Sequence, residues 1–285
     1  MAIVLYQDQF IDRSKAKVDI EDRGYQFGDG IYEAMMVYSG RIFLLDPHMK
    51  RLERSARELN LTLPYSADHI VDNIKKLVEL NHLDDGVVYF QITRGAAPRQ
   101  HFFPDNTPTV ITGSVSSKIR DVSKRPQGIK AVLADDIRWL RCDIKTLNLL
   151  GNVLAKQKAH VSGAGEAILH RGSTVTEGSS SNVFIIKDGT LITHPADHLI
   201  LNGITRLFVF DLAKKLNIPL VQREFTVDEL LDADEVFITS TSNEVNPVLQ
   251  IDDHLINGGE QGPIEKKLID AYDAEVERIR AVPLA

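Results

Sequence analysis

Lys145 sits in the run Ile144-Lys145-Thr146-Leu147-Asn148-Leu149-Leu150, whereas a lysine bound for open solvent ordinarily has polar neighbours. Partial desolvation penalises the charged amine more than the neutral one and so lowers its pKa. A lysine tuned in this way can attack a carbonyl carbon and form a Schiff base. It can equally be an amphipathic lysine that buries its stem and keeps its ammonium wet, and for this residue taken alone that is the commoner case. About thirty residues later, the stretch Thr174-Val175-Thr176-Glu177-Gly178-Ser179-Ser180-Ser181-Asn182-Val183-Phe184 places one carboxylate among small hydroxyl residues, directly before an apolar strand. Two further small-residue turns follow, Asn202-Gly203-Ile204-Thr205-Arg206 and Thr239-Ser240-Thr241-Ser242-Asn243. A lysine, a later glutamate and two phosphate-sized turns are the parts that a pyridoxal phosphate site requires. The lysine bonds the aldehyde, and an acid keeps the pyridine nitrogen protonated so that the ring accepts electrons. Backbone N–H groups and hydroxyls hold the phosphate.

Other residues admit two readings each. Arg99 and His101 lie two apart in the long loop from Arg94 to Pro104, so in an extended segment they project to the same side. A guanidinium fork beside an imidazole suits bidentate capture of a carboxylate, but a solvated loop with scattered basic residues has the same composition. Arg51 lies beside the apolar face of its helix and by itself reads as one of several surface cations. Thr205 is a helix cap by its type alone, although the glycine ahead of it allows an anion to approach closely. Trp139 and the lone Cys142 lie shortly before Lys145 and read as packing residues. Several chemistries lack their parts. Histidines and acids with metal-ligand spacing are absent, as is a Gly-x-Ser-x-Gly elbow. The GYQFGDG run precedes a strand rather than following one, which excludes a dinucleotide fingerprint.

The elements that must position these residues are legible from periodicity and punctuation. Ile3 to Tyr6 and Lys17 to Ile20 read as short strands, and Glu21 to Gly30 as a segment too rich in glycine for a regular element. Ile31–Tyr38 and Arg41–Leu45 read as a hairpin across Ser39-Gly40. A helix to about Asn60 starts with Asp46 as N-cap and Pro47 at the first position, burying Met49, Leu52, Ala56 and Leu59. Ser66 caps a second helix to about Leu80. Val87–Thr93 and Thr109–Val115 complete a first domain at 1–117, and the polar stretch 118–128 reads as a linker. A second domain, 129–285, opens with a strand at Ile129–Leu133 and continues with a helix from about Leu147 to His160 and a strand at Glu166–His170. It then has a hairpin across Asp188-Gly189, a helix opening at Gly203, a strand at Glu235–Ile238 and a last helix from about Pro263 to Arg280.

The whole composition is that of an ordinary globular protein: 43% of the 285 residues are hydrophobic and 26% charged. A net charge of −7 argues against nucleic acid or an anionic membrane as the main partner, without forbidding an anionic substrate at a local basic site. One cysteine leaves no intrachain disulfide, and neither a signal peptide nor a membrane-long apolar run is apparent. A cytoplasmic enzyme is the default.

The order of Lys145, TVTEGSSSNVF, GITR and TSTSNE, preceded by EDRGYQFGDGIYE from Glu21 to Glu33, resembles the fold-type IV pyridoxal-phosphate transaminases over essentially the whole chain. Within that family it is most similar to the D-amino acid aminotransferases, whose D-specific members carry the Arg-x-His pair. The resemblance implies an α+β fold of two α/β domains with the cofactor site between them, pyridoxal 5'-phosphate as cofactor, and a homodimer. It implies that Lys145 forms the Schiff base and then acts as general base, while Glu177 holds the ring nitrogen. Arg51, Ser180, Ser181, Ile204, Thr205, Ser240 and Thr241 would bind the cofactor, chiefly its phosphate. Tyr32, Arg99 and His101 would bind the substrate carboxylate, the last two reaching into the partner's site. The implied reaction is ping-pong transamination between D-amino acids of the alanine or glutamate type and 2-oxo acids such as 2-oxoglutarate or pyruvate, through pyridoxamine phosphate. An L-branched-chain transaminase and an aminodeoxychorismate lyase share the fold and are the alternatives. A non-catalytic binding protein on the same scaffold is disfavoured by the presence of both Lys145 and Glu177.

Overall fold

A computed structural model describes residues 2–123 and 125–282 of the chain. It resolves into two compact units. The first contains the described residues of Met1–Arg120, Ile144–Leu149 and Ile279–Ala285; the second contains those of Asp121–Asp143 and Leu150–Arg278. Lys145 therefore folds with the N-terminal unit, although the chain reaches it through part of the second.

In the first unit the elements are β1 (Ile3–Tyr6), β2 (Gln9–Asp12), α1 (Arg23–Phe27), β3 (Gly30–Tyr38), β4 (Arg41–Ile42), α2 (Leu45–Glu58), α3 (Ala67–Leu80), β5 (Gly86–Thr93) and β6 (Val110–Ser117). The strands form one antiparallel sheet in the order β2-β1-β6-β5-β3-β4. Helices α2 and α3 pack against it. Leu52, Ile70, Ile74 and Leu77 from the helices meet Ile31, Met35, Val88, Phe90 and Ile92 from the strands in one buried cluster. The predicted α3 cap is present, with Ser66 Oγ accepting from His69 N at 3.2 Å.

Three expectations need correction here. Lys17 to Ile20 is not a strand; Val18 and Ile20 are exposed, and the strand that continues from β1 lies earlier, at β2. The glycine-rich segment does contain a regular element, the five-residue α1. Asp22 caps it by accepting from Gly24 N and Tyr25 N, and Gly28 ends it at φ 69°, a conformation that glycine adopts without steric cost. Helix α2 begins at Leu45 behind Leu44, which has φ 52° and makes no side-chain cap. Asp46 and Pro47 lie inside the first turn, where a missing N–H loses no bond and an acid favours the helix dipole.

The second unit runs β7 (Ile129–Asp135), α4 (Leu150–Val161), β8 (Glu166–Arg171), β9 (Thr174–Gly178), β10 (Asn182–Lys187), β11 (Thr190–Thr193), α5 (Ile204–Lys215), β12 (Leu220–Gln222), α6 (Val227–Leu231), β13 (Glu235–Ser240), β14 (Glu244–Ile251), β15 (His254–Leu255) and α7 (Pro263–Arg280). Its mixed sheet has the order β12-β11-β10-β13-β14-β7-β8-β9, with β15 on β14. The β10–β11 hairpin turns on Asp188 at φ 49° and Gly189 at φ 75°, the two positive angles of a type I′ turn. Helix α4 starts at Leu150 rather than near Leu147, because the backbone up to Leu147 is already committed to pairing with β3.

Candidate active site

The segment carrying Lys145 is extended. Tyr32 N donates to Lys145 O at 3.1 Å, Leu147 N to Gly30 O at 3.0 Å, and Thr146 bridges Ile31, so the segment adds to the edge of β3. Lys145 N donates to Ser55 Oγ at 3.4 Å. The side chain is half-buried, and Nζ lies 4.1 Å from the centre of the Tyr32 ring. Lys145 and Tyr32, chosen from sequence for different reasons, thus meet within one unit. An ammonium over an aromatic face is attracted by the ring quadrupole.

Arg51 is buried in the same unit, with partners that periodicity did not reveal. Its Nε donates to Glu33 Oε1 and its Nη2 to Glu33 Oε2, both at 2.8 Å, in a bidentate fork. His48 Nδ1 lies 2.7 Å from Glu33 Oε2. Burial works to raise the pKa of Glu33, but the Arg51 charge and the hydrogen bonds from Arg51 and His48 outweigh it and hold the carboxyl at about 2. Burial also keeps the His48 imidazole below its ordinary value, against the pull of Glu33. Strand alternation puts Glu33 on the inner face of β3 one residue after Tyr32, which was the available sequence signal.

Arg99 and His101 are exposed in their loop and flank one ring: the Arg99 guanidinium lies 4.4 Å from the Phe27 centroid, and the His101 ring 5.7 Å from it. The platform, Phe27, was not anticipated. Around it the loop is tied down by Arg23, which donates to Asp29 and to Gln100 O, and by Arg94, which donates to Asp29, Leu59 O and Asn60 O. Among the described residues neither Arg99 nor His101 makes a hydrogen bond, ion pair or ring contact with Tyr32 or Lys145.

In the second unit Glu177, one residue before the end of β9, is buried. Arg138 Nη1 donates to its Oε1 at 2.5 Å, while Asn182 Nδ2 and Leu201 N donate to Oε2, both at 3.0 Å. Burial pushes the carboxyl up to about 7, against the charge and hydrogen bond of Arg138. Cys142 is buried, its thiol raised by burial to about 11, whereas Trp139 is exposed rather than packed. The three serines after Glu177 turn to a different acid: the hydroxyls of Ser179, Ser180 and Ser181 all donate to the buried Glu166.

The two turns meet at Asn182. It pairs across the sheet with Thr239, its Nδ2 also donates to Leu201 O, and its Oδ1 lies so close to Gly203 that a Cβ there would be 2.1 Å away. Gly203, not Thr205, is the N-cap of α5; Thr205 lies within the first turn, and no side chain caps that end. The first-turn N–H groups of Ile204 and Thr205 are therefore unclaimed by a cap. Arg206 fixes the turn from within by donating to Asn202 Oδ1, His194 O and Gln222 Oε1. Ser240 Oγ accepts from Asn243 N at 3.1 Å, Thr241 is half-buried in the same turn, and Thr239 Oγ1 is buried with no partner among the described residues. One set of metal-ligand groups absent from the sequence spacing does form in space, from His194, Asp197 and Glu224, but Asp197 Oδ1 already accepts from Leu199 N and His194 Nδ1 lies 3.0 Å from Pro195 O.

Compared with known proteins, residues 30–251 match the family model described as amino-transferase class IV. The chain belongs to that family. The D-alanine aminotransferase of Listeria monocytogenes is 49% identical over 278 residues, which cover 96% of each chain. That of Staphylococcus aureus is 48% identical over 280 residues, 97% of this chain and 99% of its own. Among solved structures, the T.th. branched-chain amino acid aminotransferase with pyridoxamine 5'-phosphate has a TM-score of 0.93 at 27% identity, covering 98% of this chain and 95% of that one. The branched-chain aminotransferase of Thermoproteus uzoniensis with norvaline has a TM-score of 0.89 at 27% identity, covering 96% and 94%.

The protein is thus an aminotransferase of class IV with the fold-type IV architecture, and its cofactor is pyridoxal phosphate. Its own residues fit that group. An uncapped helix start and, among the described residues, an unpartnered buried hydroxyl at Thr239 next to the Ser240-Thr241 turn are the kind of donors an anion site requires. A buried carboxylate stands in the same unit, joined to that turn through Asn182.

Proposed function

We propose that this class IV aminotransferase moves the amino group of D-amino acids, of the D-alanine and D-glutamate kind, to 2-oxo acids such as 2-oxoglutarate or pyruvate. The observation that carries this is the identity of 49% over 96% of both chains with relatives named D-alanine aminotransferase, against 27% with the branched-chain enzymes of the same fold. Bound pyridoxal phosphate supplies a carbonyl for the donor's amine and a protonated ring that takes up the electrons of the Cα–H bond. Lys145 would hold the cofactor through its amine and would serve as the general base for the Cα proton. Glu177 holds the proton at the ring nitrogen. Arg51, the first-turn N–H groups of Ile204 and Thr205, and the Ser180, Ser181, Ser240 and Thr241 groups bind the cofactor, chiefly at its phosphate. Tyr32, Arg99 and His101 bind the substrate carboxylate and so decide which hand of amino acid presents its Cα–H to Lys145.

A homodimer belongs to the same proposal. In the second unit Ile137, Trp139, Leu140, Leu150, Val153 and Leu154 are exposed, more large apolar surface in two short segments than a lone chain ordinarily leaves wet. Arg99 and His101, which among the described residues make no hydrogen bond, ion pair or ring contact with Tyr32 or Lys145, would then serve the partner. A cytoplasmic setting is part of the proposal; among the described residues no helix is long and apolar enough to cross a membrane. The deciding assay is initial rates with D-alanine and with L-leucine, each with 2-oxoglutarate. Preference for L-leucine would replace the D-specific reading with the branched-chain one. Pyruvate release from aminodeoxychorismate without amino transfer would replace it with the lyase.

A further inference from the structure

Glu177 is surrounded in a way that burial alone does not require. An ionised carboxylate offers about four lone-pair sites. Leu201 N and Asn182 Nδ2 occupy both sites of Oε2, and Arg138 Nη1 occupies one of Oε1. One acceptor site therefore remains, and it is on the oxygen that Arg138 holds. Arg138 is fixed in turn. Its Nε and Nη2 form a fork with Asp136 Oδ1 and Oδ2, both at 2.8 Å, and Nη2 also donates to Leu199 O. Asp136 is itself held by Thr176 Oγ1 at 2.9 Å and by Arg171 Nε at 3.2 Å. With the fork engaged by Asp136, the third nitrogen is aimed at Glu177, an arrangement that one lysine ammonium cannot copy. Room for it is made at Gly151 in α4, where a Cβ would stand 2.9 Å from Arg138 Cγ.

We propose that Arg138 is a positioning residue for transamination, acting through Glu177: it favours the charged form of that buried carboxylate and leaves the second lone pair of Oε1 as the one place for the cofactor's ring nitrogen. The proposal rests on the reading of Glu177 as the ring-nitrogen acid. Without the guanidinium, burial favours the neutral acid, which cannot stabilise an adjacent pyridinium. The other charges bearing on Glu177 do not replace it. Asp136 has the wrong sign, and Arg206 directs its hydrogen bonds to Asn202, His194 and Gln222.

The test uses holoenzyme loaded with pyridoxal phosphate carrying 15N in the ring, whose NMR shift reports whether that nitrogen is protonated. Wild type, Arg138→Gln, Arg138→Lys, Glu177→Gln and Glu177→Gln/Arg138→Gln are compared, together with Asp136→Asn/Arg138→Gln, which removes the acid left unpaired. Expected are a protonated nitrogen in wild type, a shift toward the unprotonated form in Arg138→Gln and in Asp136→Asn/Arg138→Gln, and kcat lower by about tenfold or more. Cofactor affinity should change less than kcat, and Arg138→Lys should recover part of both readouts. In the Glu177→Gln background the Arg138 change should add little, since both act on one nitrogen. A protonated nitrogen with near-normal kcat in both Arg138→Gln proteins overturns the proposal, as do losses that multiply in the double variant. A protonated nitrogen in Glu177→Gln overturns the reading of Glu177 beneath it, and that result is distinct from the other two.

Discussion

A carboxylate with no exposed surface stays charged only where nitrogens replace its water, and Glu33 has three: Arg51 Nε, Arg51 Nη2 and His48 Nδ1. Because its folded pKa lies near 2, below the ordinary 4.5, the stability it contributes is present above about pH 4.5 and is lost as pH falls toward 2. Glu33→Ala should destabilise the fold by about 3 kcal/mol, because it strands a buried guanidinium. Urea unfolding at pH 7 measures this, and a loss within experimental error would mean the pair contributes no net stability. Lys145 is the opposite kind of residue, held by a ring face and, among the described residues, by no hydrogen bond at Nζ. Lys145→Ala should therefore abolish steady turnover while circular dichroism and the unfolding midpoint stay close to wild type. Retained turnover would make another lysine the one that bonds the cofactor.

Local punctuation foretells local structure, and at the level of elements this separates what was readable from what was not. The Asp188-Gly189 hairpin, the Ser66 cap and the bounds of α7 follow from neighbours within a few residues, and all are present. The proposed anion cradle at the small-residue turns likewise rests on local signals, glycine and threonine at a helix start. Glu33 with Arg51, Phe27 with Arg99, and Asn182 with Leu201 are 18, 72 and 19 residues apart, and only the assembled sheets and helices bring them together. The shift of the α5 cap from Thr205 to Gly203 has the same origin, since the close approach of Asn182 leaves no space for a side chain. Gly203 has φ −65°, which alanine tolerates, so Gly203→Ala tests that contact without backbone strain. Asn182 cannot swing away while its amide bonds both Glu177 and Leu201 O. The dissociation constant for pyridoxal phosphate should rise about tenfold or more. Equilibrium dialysis measures it, and an unchanged value would show that Asn182 yields freely.

Across the whole molecule, buried acids set how stability follows pH. Glu235 of β13 accepts from Ile264 N and Glu265 N and so caps α7 from outside, while Glu265 is buried beside it. Burial first, then the Glu235 charge, raise the Glu265 carboxyl to about 8. The folded state thus keeps a proton that the unfolded chain, with its carboxyl near 4.5, gives up. The stability contributed by this group is full below about pH 4.5 and is lost as pH rises through 8. Glu265→Gln should narrow its gap to wild type, or overtake it, between urea midpoints taken at about pH 6 and about pH 8.5. A gap that stays constant would place the titration elsewhere. The route of the backbone has a consequence of another kind. The chain leaves one unit for the other after Arg120, Asp143, Leu149 and Arg278. A single proteolytic nick in the linker would therefore not release two self-sufficient pieces. The first piece would keep β3 but lose the Lys145 segment that closes its edge, leaving open backbone that invites other chains. The reactive lysine would depart on the second piece, severed from the sheet that shapes it, so swapping halves between such enzymes by recombination at the linker separates the lysine from its own scaffold.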